Sequence, residues 1–334
     1  MRIAYSEDQI KLRDELRSYF ADLITPEIRE QLGALEGGSL YKDLIKQMGG
    51  DGWLGVGWPT EYGGLGKTWV EQQIWFDEAR RAGAPIPFVT INTVGPALMQ
   101  LGTEKQKNRF LPGILRGDIH FAIGYTEPEA GTDLASLTTS AVLEGDHYVV
   151  NGTKSFTSGA DDADYIWLAC RTDPEAPKHK GISILIVDTR AEGYSTSPIY
   201  IINGGHTYMT YYENVRVPVD MVVGEVNLGW KLITLQLNHE RVGLAAFSNG
   251  AIRVLDDVIE WSKATEDAPG RRVADNAWVQ AALGQAYSLL EAMKVTNWKM
   301  AWSLEAGDPD PAQSSAAKIL GTECVIEVFR LLLE

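Results

Sequence analysis

Two stretches of this sequence hold residues that could grip a flat, phosphate-bearing ligand. The first runs FAIGYTEPEAGTDLAS, from Phe121 to Ser136; the second runs VNGTKSFTSGADDAD, from Val150 to Asp164. The first packs Thr126, Gly131 and Thr132 around two acids. Small hydroxyl residues and a glycine let backbone N–H groups approach a ligand closely, and such nests suit a pyrophosphate. The second carries Phe156 and Ser158 at the end of a β-run, an edge for a flat ring. The competing reading is two ordinary turns flanking a hairpin. Either piece alone leaves that reading alive, whereas both in this order and at this separation make it improbable. Glu127, Glu129 and Asp133 invite a paired-carboxylate chemistry. The reading favoured here is structural: carboxylates that accept backbone N–H bonds and hold the turn.

The segment before Phe121 reads helical. Ser6 with Gln9 is a capping box, and Ile10, Leu12, Leu16, Phe20, Leu23 and Ile24 follow at near-helical spacing toward a stop at Pro26. A second helix fits Tyr41–Met48. Asp51–Gly66 is too rich in glycine for a helix and reads as a long ordered loop with a Gly63–Gly64 turn. Helical spacing returns over Trp69–Ala82, and Thr103 with Gln106 caps a helix toward Phe110. The middle third changes to β-branched and aromatic runs: YVVNGTKSFT, DYIWLACRT, ISILIVDT and YYENVRVP. Turn residues such as Glu144-Gly145-Asp146 and Asn151-Gly152 separate them, which predicts a small antiparallel barrel or sandwich. From Gly229 the spacing is helical again, with a break around Asp267–Gly270 and helices over Ala274–Ala301 and Pro311–Leu333. The expected domains are therefore helical over 1–118, β over 119–226 and helical over 227–334.

The 334 residues carry 30 Lys+Arg against 45 Asp+Glu, a formal charge of −15. Such a chain is poorly suited to hold nucleic acid through counterion release. Cys170 lies in the apolar run YIWLAC and reads as a buried thiol; with Cys324 it makes no disulfide framework. His120, His147, His179, His206 and His239 lack metal-ligand spacing, so no metal site is expected. No GxGxxG follows a strand and opens a helix, so NAD binding is not implied. The charged start MRIAYSEDQIKLRDEL lacks an apolar signal core and no apolar run is long enough to span a bilayer, which reads as a cytoplasmic protein without a membrane role.

The two opening stretches resemble the flavin-binding segments of the acyl-CoA dehydrogenase family. LGVGWPTEYGGLG, GTEKQKNRFLPGILRGD and VRVPVDMVVGEVNLGW also look like segments of that family, in its order. The resemblance covers nearly the whole chain. It implies an α+β fold: an N-terminal helical domain, a central antiparallel β-barrel domain and a C-terminal helical bundle. HFAIGYTEPEAGTDLASL and DADYIWLACRTDPEAPKHKGISILIVDT resemble more narrowly the dehydrogenases of bacterial sterol side-chain degradation. Some of those work as α2β2 heterotetramers.

The resemblance implies FAD as cofactor and an acyl-CoA as substrate. It places the backbone around Ile123 and Tyr125, with Thr126, on the flavin. Gly131 and Thr132 would face the cofactor's phosphate arm, with Thr132 also near the acyl-CoA. Phe156 stands where the family has a flavin-stacking tryptophan, and Ser158 where it has a threonine near flavin N5. Phe keeps an aromatic face and Ser a hydroxyl. The alternatives are a strand-core Phe156 and a Ser158 hydroxyl bonding its own backbone.

The reaction needs a desolvated carboxylate to remove the α-proton of the thioester. LQLNHERVGLAAF offers Glu240 between apolar residues. A subgroup of the family, including isovaleryl-CoA and long-chain dehydrogenases, places its base here in a Glu-Arg pair, which Glu240-Arg241 matches. Arg241 would then order the site and balance charge at the substrate. The alternative is a solvated helix face bearing both residues.

The sequence also departs from the family. The Arg-x-x-Phe-Gly stretch that reaches FAD across a subunit interface is absent; the region reads VIEWSKATEDAPGRR, with Arg271 and Arg272. The last residues, Leu331-Leu332-Leu333-Glu334, look like mid-helix, so the expectation is a truncated C-terminal domain lacking the family's late glycine-rich flavin contact. The implied partners are an electron-transfer flavoprotein and a homotetramer or α2β2 heterotetramer. Two other readings stand beside dehydrogenation: a non-catalytic or partner-dependent subunit, and a flavin monooxygenase on the same fold.

Overall fold

Short-range signals mark the helix limits. The structure, a computed structural model, describes residues 4–33, 37–202, 204–234, 236–237, 249–307 and 310–334. The early helices are α1 (Glu7–Leu23), α2 (Pro26–Leu32), α3 (Ser39–Gly50), α4 (Trp69–Ala82), α5 (Gly95–Leu101) and α6 (Glu104–Leu115). Both expected capping boxes are present, Ser6/Gln9 on α1 and Thr103/Gln106 on α6, and Thr68/Glu71 makes a third on α4. Pro26 starts α2 as well as following α1, because a first-turn proline has no N–H to lose. Leu12, Leu16, Phe20 and Leu23 form the buried stripe of α1, while Ile10 is exposed. Two residues turn a helix by about 200°, which puts Ile10 on the far side from Leu12.

The chain divides into two compact units, Met1–Glu30 with Lys67–Ile86 and Glu240–Glu334, and Gln31–Gly66 with Pro87–His239. The first unit is helical. It joins α1 and α4 to α7 (Asn249–Ala264), α8 (Ala277–Glu305) and α9 (Pro311–Leu333). Ala251 and Leu255 of α7, Ala286, Leu290 and Met293 of α8, and Cys324 and Val328 of α9 make one core. The break before α8 is a small hairpin rather than a plain loop, pairing Glu266–Ala268 with Arg271–Arg272.

The second unit holds the sheet together with α3, α5 and α6. Its strands are β1 (Phe121–Gly124), β2 (Ser140–Glu144), β3 (His147–Lys154), β4 (Tyr165–Arg171), β5 (Ile182–Asp188), β6 (Tyr194–Tyr200), β7 (His206–Pro218) and β8 (Val222–Val223). They bond in the order β6-β7-β3-β2-β4-β5-β8, with β1 added on β4. This corrects the expected antiparallel barrel. Among the described residues the path is open between β6 and β8, and β1 runs parallel to β4, pairing Phe121 with Tyr165 through Gly124 with Leu168. Alternation along a strand does not report the direction of its neighbour. The burial of β4 and β5 along nearly their whole length is the mark of central strands.

A second correction concerns Asn151-Gly152. These residues lie inside β3, at a register shift against β7, and not in a turn between strands. A Cβ on Gly152 would sit 2.5 Å from the Thr139 hydroxyl oxygen, so the glycine answers a close approach of backbone to side chain. Among the described residues no helix is long and apolar enough to cross a membrane.

Candidate functional site

The two motifs meet at the end of β1. The sheet ladder releases the chain after Gly124, and Tyr125 and Thr126 run on beyond it. There the Ser155 N–H donates to the Thr126 carbonyl at 2.8 Å, stitching the second motif to the first. A reciprocal pair of backbone bonds between Glu127 and Ala130, at 3.0 and 3.1 Å, closes the following turn. Gly131 lies beside Thr126: a Cβ built on it would meet only the Thr126 methyl, at 3.9 Å. Gly131 and Thr132 are exposed, Ile123 and Thr126 half-buried, and Tyr125 buried.

Buried charge holds this edge from within. Lys154 is fully buried and donates to the Tyr125 carbonyl at 3.0 Å and to Glu127 Oε1 at 2.9 Å. Glu127 also accepts the N–H groups of Thr138 and Thr139 at 2.7 and 2.8 Å and the Thr138 hydroxyl at 2.9 Å. Burial pushes the Glu127 carboxyl up, but the Lys154 ammonium and the hydrogen-bond donors outweigh it and bring the pKa down to about 2. Glu127 is thus the turn-holding carboxylate that its residue type and place predict. Asp133 differs: it pairs with the Lys178 ammonium, and Glu129 is exposed. Arg171 clamps the far side of the loop, donating to the carbonyls of Ala135 at 2.7 Å and Lys180 at 2.8 Å.

Phe156 and Ser158 do not behave as core. Phe156 is 63% exposed and has φ of +56°. A bulky residue in the left-handed region is an outlier that surrounding structure must impose. Its neighbours supply that constraint. Ser155 is bonded to Thr126, the Thr157 N–H donates to the Tyr208 carbonyl at 2.9 Å, and the Thr157 hydroxyl lies 3.4 Å from that of Thr210. The Ser158 hydroxyl pairs with that of Thr207 at 3.1 Å and does not turn onto its own backbone. The strand-core reading of Phe156 and the self-bonded reading of Ser158 are both excluded by this geometry.

Sequence reasoning missed Lys154 and the hydroxyl of Tyr125. The latter lies in a buried cluster with Gln236 and Trp167, whose indole N–H is 3.2 Å from the Tyr125 hydroxyl and 3.1 Å from Gln236 Oε1. A signal for Lys154 existed. It shares the strand parity of buried Tyr148 and Val150, and an inward lysine calls for a carboxylate.

Three family models match the chain: acyl-CoA dehydrogenase N-terminal domain over residues 6–118, middle domain over 122–215 and C-terminal domain over 227–334. The chain belongs to the acyl-CoA dehydrogenase family. Acyl-CoA dehydrogenase FadE26 of Mycobacterium tuberculosis is 53% identical, aligned over 100% of this chain and 86% of its own length. The solved structure of the Tcur3481–Tcur3483 steroid ACAD superposes with a TM-score of 0.93 at 55% identity, covering 99% of this chain and 85% of that one. The ChsE4–ChsE5 complex from Mycobacterium tuberculosis gives a TM-score of 0.92 at 53% identity, with the same coverage of both chains. The protein is accordingly an oxidoreductase acting on acyl-CoA, in a family of flavoproteins.

The edge described above fits a flavin. Its carbonyls at Tyr125, Thr126 and Glu127 are taken up by Lys154, Ser155 and Ala130, while among the described residues the Thr126 N–H and hydroxyl have no protein partner. A surface that hides acceptors and offers donors suits an electron-rich ring or a phosphate. Glu240, Arg241 and His239 lie outside the described residues. Arg271 and Arg272 are committed to their own acids, Asp267 at 2.9 Å and Asp275 at 2.8 Å.

Proposed function

We propose that this dehydrogenase converts an acyl-CoA thioester to the trans-2-enoyl-CoA with FAD as cofactor. Glu240 removes the proton at Cα, and hydrogen bonds to the thioester carbonyl make that proton acidic enough to leave. When bound, FAD would supply the acceptor for the hydride that leaves Cβ. Ile123, Tyr125 and Thr126 would line the ring through their backbone and the Thr126 side chain. Gly131 and Thr132 would take the phosphate arm, with Thr132 also near the substrate; Phe156 would stack on the ring, Ser158 would bond near N5, and Arg241 would order the substrate end. The observation that carries the reading is the donor-presenting edge built where Ser155 joins Thr126, with the exposed Phe156 ring one residue on.

The substrate class we favour is a bulky, sterol-derived acyl-CoA, supported by the likeness to a steroid ACAD. The assembly we favour is an α2β2 heterotetramer, supported by the likeness to a two-component complex and by Arg271 and Arg272 being occupied by acids of their own chain, Asp267 and Asp275. Electrons leave to an electron-transfer flavoprotein. We keep the domain limits at 118/119 and 226/227, a reading supported by family-model matches over 6–118, 122–215 and 227–334.

The test is anaerobic bleaching of flavin absorbance by a panel of acyl-CoAs that includes steroid side-chain thioesters. Wild type should bleach, and Glu240→Gln should retain FAD yet lose bleaching by at least about a thousandfold in rate. Bleaching at the wild-type rate in the variant removes Glu240 as the base. FAD retention only on co-expression with a partner chain would favour the partner-dependent subunit.

A further inference from the structure

Lys154 is an expensive residue to bury. An ammonium with no solvent exposure has to be matched by strong acceptors, and here it has two: Glu127 Oε1 at 2.9 Å and the Tyr125 carbonyl at 3.0 Å. The Glu127 contact balances its charge. The Tyr125 contact is not needed for that, and it falls on one particular peptide group. The carbonyl of Tyr125 and the N–H of Thr126 belong to the same planar trans unit, so the N–H points away from the carbonyl and from Lys154. That N–H has no partner among the described residues.

We propose that Lys154 is a positioning residue that polarises the Tyr125–Thr126 peptide, making the Thr126 N–H a strengthened donor toward the ring bound at this edge. A hydrogen bond from a cation to one end of a peptide strengthens the bond made at the other end, and a low-dielectric surrounding enlarges the effect. The benefit grows with the negative charge on the acceptor, so it favours the reduced ring over the oxidised one. Glu127 tempers the effect: it draws part of the ammonium's field and anchors Lys154 through Thr138 and Thr139. The inference rests on the flavin reading above.

Two variants with opposite expected signs test it. Lys154→Met combined with Glu127→Gln removes both charges and leaves no unpaired buried ion. Glu127→Gln alone removes the counter-charge; it is measured at acid pH, where Lys154 stays protonated although burial lowers its pKa. FAD affinity and midpoint potential are measured on folded, purified protein, with the thermal melt of each ligand-free variant as the folding control. In the double variant the reduced-to-oxidised affinity ratio should fall about tenfold, a potential about 30 mV lower for a two-electron couple. In Glu127→Gln it should move the other way. An unchanged potential in either folded variant, or a shift of the same sign in both, makes Lys154 a structural residue only and overturns the proposal. If only Glu127→Gln folds, its upward shift supports the proposal and any other result overturns it. Wild type that binds no flavin even when co-expressed with a partner chain removes the cofactor reading itself, a separate result from wild type that binds it while the variants show no shift.

Discussion

Phe156 concentrates the functional question in one residue. An aromatic ring that is 63% exposed on a backbone with φ of +56° gains little from burial and holds a disfavoured conformation. Asn tolerates that conformation far better. Phe156→Asn should therefore raise ligand-free stability by about 1 kcal/mol, read as a shift of the urea midpoint, while weakening FAD binding. A variant that is less stable and binds FAD unchanged would contradict both halves. Glu127 carries the acid sensitivity. Its folded pKa of about 2 lies below the ordinary 4.5, so it adds stability that is complete above about pH 4.5 and is lost as the pH falls toward 2. The loss should be on the order of 3 kcal/mol across that window. Urea unfolding at a series of acid pH values should show a flatter decline for Glu127→Gln than for wild type. Equal slopes would place the acid sensitivity elsewhere.

At the level of elements, side chains identified as local caps also act at long range. Gln106 completes the capping box of α6 with Thr103, as its spacing predicts, and its amide also donates to the carbonyls of Asp220 and Val222, both at 2.8 Å. Gln106→Ala should cost about 2 kcal/mol, more than a cap alone, because it orphans two carbonyls in a buried place. A denaturation midpoint matching that of Thr103→Ala would show that the second role is energetically idle. Strand β1 is positioned in a similar way. The Thr90 hydroxyl accepts the Phe121 N–H at 2.9 Å, from a buried π-helical turn over Val89–Val94. The candidate edge therefore begins on a strand fixed at its start by Thr90, along its length by β4, and at its end by Lys154 and Ser155.

At the level of the whole molecule, the helical unit leaves Trp278, Trp302, Ile319 and Ile326 more than 60% exposed in the isolated chain. Large exposed apolar groups on α8 and α9 are the kind of surface a partner chain would cover. Co-expression with a second dehydrogenase-type chain should give a species whose light-scattering mass equals two copies of each. Ile319→Asp with Ile326→Asp should lower its yield while leaving the ligand-free melt of the chain alone unchanged within about 1 kcal/mol. A stable homotetramer of this chain alone would contradict the heteromeric assembly.

What the residues determine unaided is what neighbours in the chain can decide. The capping boxes of α1 and α6, the limits of α4, the turn-holding role of Glu127 and the buried thiol of Cys170 all follow from residue type and short spacing. The family motifs were legible for a related reason, since the candidate edge is built from consecutive residues around Thr126 and Phe156. Tertiary structure alone decided the parallel pairing of β1 with β4, the open order of the sheet, the placing of Gly152 within a strand and the partners of Lys154. Each of these is a contact between segments distant in the chain. Register, strand direction and burial select it, and the local pattern of side chains is compatible with several such choices.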